Sequence, residues 1–353
     1  MTSLAESGLA LEQVELRLRA YFDRSSERAA RHSPQYRELW RELRGAASGG
    51  KRLRPRLLLT SYLHLEGGPL EPAMEMATAI ELLHTALLLH DDVIDGDLER
   101  RGAPNLVGAF AAATAQTGLP QSQSRRWGES AAILGGDLLL ASAVRLTAGL
   151  DLERDRRQRL MELLDESIFR AAAGELADVA YASGIGTPTA ADIRDMMADK
   201  TAHYSLELPL RAGAILAGTS GELEERLGAI GSSLGIVFQM RDDLLGVFGD
   251  PAETGKSTWN DLREGKQTML IAYARSSSTW ASTAEFFGSP SLAEAEAQRL
   301  RGTLEDSGAR ARLEEEIRRE RDAAIGLIRE AGLPVALTYL LVREANDAAE
   351  RLG

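Results

Sequence analysis

Two groups of aspartates, 91–95 and 242–243, could bind metal ions. Each group follows an apolar run with the spacing of a helix. On a helix, residues four apart share a face, so Asp91 and Asp95 point the same way and Asp92 lies beside them. Carboxylates this close repel unless a cation lies between them, and Mg²⁺ is held by one or two carboxylates plus phosphate oxygens. If two such groups face each other across a cavity, they could hold several metal ions around one diphosphate. The simpler alternative is that each group is a solvated acidic helix end.

Two basic turns offer partners for phosphate. The first, Gly49-Gly50-Lys51-Arg52-Leu53-Arg54, places three cations directly after two glycines, and the second contains Arg100-Arg101. Glycine lets a backbone approach a ligand closely, and lysine and arginine grip phosphate oxygens through charge-assisted hydrogen bonds. Either turn could instead be an ordinary surface turn, and the second could simply pair with the neighbouring aspartates.

Three other chemistries fit the residue pattern less well. The adjacent pair His90-Asp91 suggests a metal phosphohydrolase, but the five histidines of the chain offer no second metal-like spacing. Glu81-x-x-His84 matches half of a carboxylate di-iron site, which draws such a pair from each of two helices. Gly255-Lys256-Ser257 lacks the earlier glycine of a phosphate-binding loop, because Asp250 stands there.

Composition narrows the function further. The chain of 353 residues has a formal net charge of −12 and contains no cysteine. The negative charge argues against a nucleic-acid partner, and the lack of cysteine excludes disulfides and thiolate ligands. We find no signal-peptide pattern in residues 1–11 and no uninterrupted apolar span of about 18 residues. These features predict a cytoplasmic protein without stable membrane insertion.

Helices account for most of the elements that must position these residues. The composition is rich in Ala, Leu, Glu and Arg, which favours helix throughout. We predict a break near Ser33-Pro34, a mobile surface loop over 115–124, and glycines at 135–136 that open or interrupt a helix and let helices approach closely. Lys200 stands in mid-helix, where an exposed lysine is the default prediction and a buried one would need an anionic partner. Further helices are predicted over 9–43 (as two), 56–65, 71–90, 152–182, 192–216 and 221–248.

The motifs together resemble the trans-isoprenyl diphosphate synthases of the polyprenyl synthetase family. The match runs in order from about residue 49 to residue 266, and each motif alone is weak. The matching segments are Gly49–Pro55, His84 before Asp91-Asp92-x-x-Asp95, Arg100–Pro104, Gly136-Asp137, Lys200-Thr201, Phe238-Gln239-x-x-Asp242-Asp243, Gly255-Lys256, Asp261 and Gly265-Lys266.

This resemblance implies an all-α fold, a single-domain helical bundle of the isoprenoid synthase type around a deep central cavity. The domain would span 1–353, with a core at about 45–275 and peripheral helices at about 289–353. The implied enzyme is a prenyltransferase, usually a homodimer, that joins isopentenyl diphosphate head to tail to an allylic diphosphate (dimethylallyl, geranyl or farnesyl). The released diphosphate would accept the final proton, so no protein base is required.

The resemblance also implies a role for each matching residue. Up to three Mg²⁺ ions per active site would be bound by Asp91, Asp95 and Asp242, helped by Asp92. The allylic diphosphate would be held by Arg100, Lys200, Lys256 and Lys266. Isopentenyl diphosphate would be bound by Lys51, Arg54, His84 and Arg101, while Thr201 and Gln239 would lie near the developing carbocation.

Two positions depart from the family pattern. Gly246 stands where the second acidic motif usually has its last aspartate, which predicts a thinner metal shell or one completed by water. Glu175 follows Gly174 where glutamine is often found, and its role is open. Neither change removes the main aspartates or lysines, so we expect activity.

Product length is predicted from the helix before Asp91. One helical turn, about 5.4 Å, is close to the length of one isoprene unit. Leu87 and Ala86 lie one turn before Asp91, so no aromatic ring caps the pocket there, and Leu83 offers a lower floor. In the family that the chain resembles, bacterial C15 synthases tend to have an aromatic residue there or extra residues inside the first acidic motif. This chain has neither, so the resemblance implies the C20 product geranylgeranyl diphosphate. A C15 or C30–C50 synthase, a non-catalytic subunit of a heteromeric synthase and a terpene cyclase are the alternatives.

Overall fold

The computed structural model describes residues 2–100, 102–249 and 259–351. It confirms the all-α prediction, since helices make up nearly all regular structure there and the only strands among these residues are the pair β1 (Glu99–Arg100) and β2 (Ala103–Pro104). The α-helices are α1 (Thr2–Ala29), α2 (Pro34–Ala46), α3 (Leu53–His64), α4 (Leu70–Ile94), α5 (Leu106–Ala115), α6 (Gln121–Ala148), α7 (Arg154–Ala182), α8 (Ala190–Met197), α9 (Leu208–Ala217), α10 (Gly221–Phe248), α11 (Asn260–Glu264), α12 (Met269–Arg275), α13 (Glu294–Asp306), α14 (Ala309–Glu330) and α15 (Val335–Glu350).

The remaining helical segments differ from α-helices in their hydrogen bonding. A π-helix, Ala198–Glu207, joins α8 to α9, and two short 3₁₀ turns, Trp280–Ser282 and Ala284–Phe286, follow α12. The predicted break near Ser33-Pro34 is confirmed, because the Ser33 hydroxyl caps α2 by accepting a hydrogen bond from the backbone N–H of Tyr36. Such a cap satisfies a donor that the first helical turn leaves open.

The chain divides into two compact units. The first unit comprises Met1–Leu164 with Pro209–Ser220, and the second comprises Asp165–Leu208 with Gly221–Gly353. The first unit carries the first acidic motif and both basic turns, whereas the second carries Lys200 and the second acidic motif. That the two units form one domain stays a prediction.

The first unit is built around α4. Residues 76–83 of this helix are all buried, and the helix packs on α1, α3 and α6. Gly136 of α6 lets the two helices approach closely, because a Cβ there would lie 2.2 Å from Nε2 of His90. The prediction that the glycines at 135–136 open or interrupt a helix is wrong, since α6 runs through them without a break. The close helix approach predicted from their small size is confirmed.

The predicted loop over 115–124 is confirmed only for residues 116–120. Helix α5 ends at Ala115 and α6 already begins at Gln121, so the connection is short. Ser124 is buried within the first turns of α6. Polar residues and Pro120 suggested a loop, but Pro120 instead stands directly before the helix, a place that suits a residue without an N–H.

The core of the second unit surrounds α10. Val237, Met240 and Leu244 of that helix are buried in one cluster with Leu313 and with side chains from α12, α13 and the π-helix. The helices after residue 289 therefore contribute to a core and form more than a peripheral layer. Charged residues dominate their sequence, which hid the buried stripe on each helix.

Helix α6 is the one helix among the described residues that is long and apolar enough to cross a membrane. Only 39% of its most apolar window is buried. A core helix of a globular protein passes the same test, so length and composition alone decide nothing here.

Candidate functional site

The first acidic motif occupies the C-terminal end of α4. Asp91 and Asp92 lie in its last turn, and Asp95 follows as the C-cap residue. Asp91 and Asp95 are half-buried, and carboxylate oxygens of the two lie within 4.8 Å of each other. Because the helix dipole places negative charge at this end, three carboxylates there are unfavourable without a cation. The donor type and spacing fit a hard cation such as Mg²⁺.

Arg100 supplies one positive charge at this motif. Its Nε donates a hydrogen bond of 2.8 Å to Asp92, and a terminal nitrogen donates one of 2.9 Å to Asp91. Burial disfavours the charged guanidinium, yet the two aspartates outweigh this effect and raise the pKa of Arg100. Burial also raises the pKa of the Asp92 carboxyl, and Arg100 opposes that rise. Asp92 thus anchors Arg100, while Asp91 and Asp95 keep more access to solvent.

The first basic turn begins α3. Gly49 and Gly50 have φ angles of +77° and +85°, in the region that favours glycine. Lys51 is exposed and Arg54 is half-buried. Arg52, between them, is buried and paired with two glutamates, and we did not assign it a role from the sequence. Predicted site residue Arg101 lies outside the described residues.

His84 and the predicted chain-length residues lie on α4, before the aspartates. His84 is half-buried. Leu83 and Ala86 are fully buried, whereas Leu87 is half-buried. Of the three predicted chain-length residues, Leu87 is therefore the one that keeps accessible surface, at the position one turn before Asp91.

Lys200 lies in the π-helix of the second unit and is not exposed as predicted. Its Nζ lies 2.6 Å from a carboxylate oxygen of Asp178 and 3.0 Å from one of Glu175, and a fifth of its side chain is accessible. Gly174 permits this arrangement, because a Cβ there would meet the backbone nitrogen of Lys200 at 2.2 Å. Glu175, whose role was open, is thus a partner of Lys200. Thr201 follows and is half-buried.

The second acidic motif lies near the C-terminal end of α10. Asp242 is about a third exposed and forms an ion pair with Arg351, the residue after α15. Asp243 is buried and accepts a hydrogen bond of 2.9 Å from Nε2 of Gln239. Burial raises the pKa of Asp243 well above its ordinary value, and the charge of Asp261 adds to this effect. Asp242 is therefore the carboxylate of this pair that suits a metal.

Gly246, where the family usually has an aspartate, faces Asp261. A Cβ at Gly246 would lie 2.2 Å from Oδ2 of Asp261. The side chain of Asp261, which comes from α11, thus occupies the space that a residue at 246 would fill. That the metal shell here is thinner or completed by water stays a prediction.

Of the two remaining predicted lysines, the structure describes one. Lys266 is half-buried, and its Nζ lies 3.3 Å from a carboxylate oxygen of Glu264. Lys256 lies outside the described residues. Arg351 was missed by sequence reasoning, and no local motif signals it, because its partner Asp242 is more than a hundred residues away in the chain.

Comparisons with a family model and with related sequences point to the same family. The family model described as polyprenyl synthetase matches residues 39–301. A geranylfarnesyl diphosphate synthase of Aeropyrum pernix is 34% identical over 266 residues, covering 74% of this chain and 77% of the relative. A (2E,6E)-farnesyl diphosphate synthase of Mycobacterium tuberculosis is 29% identical over 338 residues, covering 93% and 87%.

A solved structure extends the likeness to the fold. The geranylgeranyl pyrophosphate synthase of Corynebacterium glutamicum, complexed with isoprenyl diphosphate and magnesium, superposes with a TM-score of 0.89 at 28% identity. The alignment covers 96% of this chain and 98% of that one. The family model spans well over half of the chain, and all the ordered motifs fall inside the matched residues. The chain belongs to the polyprenyl synthetase family.

Proposed function

We propose that the chain is a trans-isoprenyl diphosphate synthase, a transferase that condenses isopentenyl diphosphate with an allylic diphosphate. The observation that carries this proposal is the convergence of Asp91 and Asp95 at the end of α4, beside Arg100. Carboxylates for metal and a cation for phosphate are the two groups that ionisation of an allylic diphosphate needs. Membership of the polyprenyl synthetase family supports the same reaction.

The reaction exchanges one carbon–oxygen bond for one carbon–carbon bond. The bond between C1 and oxygen of the allylic diphosphate breaks, and its electron pair leaves with the diphosphate. The double bond of isopentenyl diphosphate then attacks C1, and a proton lost from C2 passes to the released diphosphate. We assign Asp91, Asp95 and Asp242 as the residues that hold Mg²⁺, up to three ions per site. Bound magnesium would neutralise the negative charge that develops on the leaving diphosphate.

Cationic side chains hold the two diphosphates in this proposal. Arg100, Lys200, Lys256 and Lys266 are assigned to the allylic diphosphate, and Lys51, Arg54, His84 and Arg101 to isopentenyl diphosphate. Lys200 is already shared by Glu175 and Asp178, so an incoming diphosphate must compete with two carboxylates for it. Aligning the two substrates supplies the proximity contribution to the rate, and an apolar pocket protects the cation from water. Thr201 and Gln239 are assigned to the neighbourhood of the carbocation.

The product we propose is the C20 geranylgeranyl diphosphate. The related proteins carry the names of farnesyl, geranylgeranyl and geranylfarnesyl diphosphate synthases, so relatedness alone leaves the length open. The support comes from α4, where Leu87 and Ala86 stand one turn before Asp91 and no aromatic ring shortens the path. Ala86→Phe should shorten the product, and Ala115→Phe, at the far end of α5, is the matched control. If the alcohols obtained from the products of Ala86→Phe had the same chain length as those of the parent, residue 86 would not form the floor of the pocket.

The main experiment is turnover by the purified chain alone. Labelled isopentenyl diphosphate is incubated with Mg²⁺ and with the C5, C10 or C15 primer, and the dephosphorylated products are separated by length. We expect C20 alcohol from each accepted primer. No product with any primer would favour the alternative role of a non-catalytic subunit, and a ladder reaching C30–C50 would assign a longer-chain synthase.

We also propose a cytoplasmic homodimer. Helix α6 presents Trp127, Ile133 and Leu134, which are 40%, 44% and 58% exposed, and apolar surface of this kind is typical of a protein contact. Light scattering after gel filtration should give twice the mass of one chain. Trp127→Lys with Leu134→Lys should halve that mass, and a monomeric parent protein would contradict the assembly.

A further inference from the structure

Arg52 is the buried member of the first basic turn. It is 7% exposed, and its guanidinium makes contacts with three different segments. One terminal nitrogen donates to Glu81 of α4 at 2.6 Å, and the other donates to the carbonyl of Ala47 at 2.8 Å and to Glu15 of α1 at 3.2 Å. Its Nε also donates to Glu15. A planar guanidinium with several fixed donors suits such a junction better than lysine does.

The backbone of Arg52 has an uncommon conformation. Its φ and ψ are 46° and 44°, in the left-handed region where Cβ crowds the following carbonyl. A residue other than glycine keeps this left-handed conformation only when surrounding contacts stabilise it, and the side-chain contacts of Arg52 do so. Return to an ordinary helical φ would rotate the chain by roughly 110° at this residue. Lys51 lies on one side of that rotation and Arg54 on the other.

The contact with Glu81 connects this turn to a particular part of α4. Glu81 precedes His84 by three residues, so the two side chains leave neighbouring positions on the helix surface. Lys51, Arg54 and His84 are the residues we assign to isopentenyl diphosphate. Arg52 therefore joins the segment that carries two of them to the helix that carries the third.

We infer that Arg52 is a positioning residue for isopentenyl diphosphate. It sets the orientation of Lys51 and Arg54 relative to His84 through the buried pair with Glu81 and the left-handed backbone. The inference rests on the proposed function, because it takes the ligand of the three residues from there. Arg52 itself is enclosed by protein and acts through its neighbours.

A surface ion pair provides a matched control. Arg17 of α1 donates a hydrogen bond of 2.6 Å to Glu71 of α4, so it joins the same two helices as Arg52 and its glutamates. Both partners are partly exposed, at 31% and 62% of their side chains. Exposed pairs contribute little, and this one is remote in sequence from the turn. Loss of Arg17 thus tests the effect of removing an α1–α4 ion pair as such.

The test measures KM for each substrate separately in Arg52→Gln and in the double variant Arg52→Gln/Glu81→Gln. The single change leaves a buried carboxylate without its partner and risks unfolding, whereas the double change removes both charges. We expect KM for isopentenyl diphosphate to rise about tenfold in both variants, with KM for the allylic substrate within about twofold of the parent. The affinity for isopentenyl diphosphate, measured by calorimetric titration, should fall by the same factor.

A purely structural role would lower the active fraction and kcat while leaving both KM values unchanged. That result, or an equal rise in both KM values, would overturn the inference, as would an equal effect of Arg17→Gln. Arg52→Lys, which keeps the charge without the fork, should recover part of the affinity for isopentenyl diphosphate. Failure of the proposed function can be told apart from failure of this inference, because the parent chain would then form no prenyl product at all.

Discussion

In the first acidic motif, Asp91 and Asp92 share an arginine that stands nine and eight residues further along the chain. In the second motif, Asp242 pairs with Arg351, which is 109 residues away, and its neighbour Asp243 is buried. The first arrangement is local and leaves Asp91 and Asp95 together. The second is assembled from distant helices and leaves Asp242 as its accessible carboxylate. A similar sequence motif can therefore have different electrostatics in its two copies, and the following changes test that difference.

Removing one carboxylate from each motif should give the largest effects. We expect Asp91→Asn to lower kcat/KM by about 10³-fold, because it disrupts a pair of converging ligands. Asp242→Asn should cost about 10²-fold, since Arg351 already neutralises part of its charge. The measurement is kcat/KM at saturating Mg²⁺, with the exposed Asp306→Asn as control. An equal or larger loss at Asp242 would contradict the proposed inequality.

Removing the arginine of each motif should change different properties of the enzyme. Arg100→Gln removes a positive charge beside Asp91 and Asp92 and a proposed diphosphate contact, so kcat/KM should fall by about 30-fold. Arg351→Gln removes a cation that competes for Asp242, so half-maximal activity should need about threefold less Mg²⁺. Arg343→Gln, an exposed residue of α15, is the control. A higher magnesium requirement in Arg351→Gln would mean that the arginine supports metal binding.

Asp243→Asn should stabilise the metal-free protein. Burial raises the pKa of Asp243, so the folded state retains a proton that the unfolded state loses as pH rises above the ordinary value. This carboxyl therefore disfavours folding more as pH rises from about 4 towards its raised pKa. Asparagine keeps an oxygen for Gln239 and removes the penalty. Denaturant unfolding at pH 4 and pH 7 should give a gain of about 1 kcal/mol at pH 7 and less at pH 4. A gain that is independent of pH would exclude this cause.

The smallest effect should come from Gly246→Ala. Replacing a helical glycine with alanine ordinarily stabilises a protein by about 0.5–1 kcal/mol. Gly302→Ala in α13 should do so, because no atom lies within 4 Å of its Cβ position. At Gly246 the new Cβ must displace Asp261, and the gain should vanish. Thermal unfolding of the two variants decides between these outcomes, and equal gains would show that Asp261 moves aside without cost.

The sequence predicted the parts of the site that depend on local spacing. Asp91 and Asp95 converge as the helical period requires, and α4 and α10 lie where the apolar runs predict them. Buried partners were harder to foresee. Lys200 was expected at the surface, because a lone lysine in a helix usually is, and its carboxylate partners stand 22 and 25 residues before it in another helix.

Arg351 and Arg52 show two further limits. Arg351 has no motif around it and reaches Asp242 only because α15 packs against α10, which is a tertiary contact that periodicity does not report. Arg52 is one of the matching residues of a recognised motif, yet the resemblance assigned roles only to its neighbours Lys51 and Arg54. Its burial follows from a left-handed backbone that a non-glycine residue rarely adopts. Composition therefore predicted three similar cations, whereas the fold buries Arg52 and not the other two.

The π-helix at 198–207 constrains how this region can vary in length. Each of its hydrogen bonds encloses one residue more than an α-helical bond does. Deleting one residue would allow an ordinary α-helix to form, with the helices on either side kept nearly in register but the side chains inside the segment moved around the helix axis. Lys200 would then leave the side facing Glu175 and Asp178. Insertions and deletions should be tolerated in the neighbouring loops well before they are tolerated here.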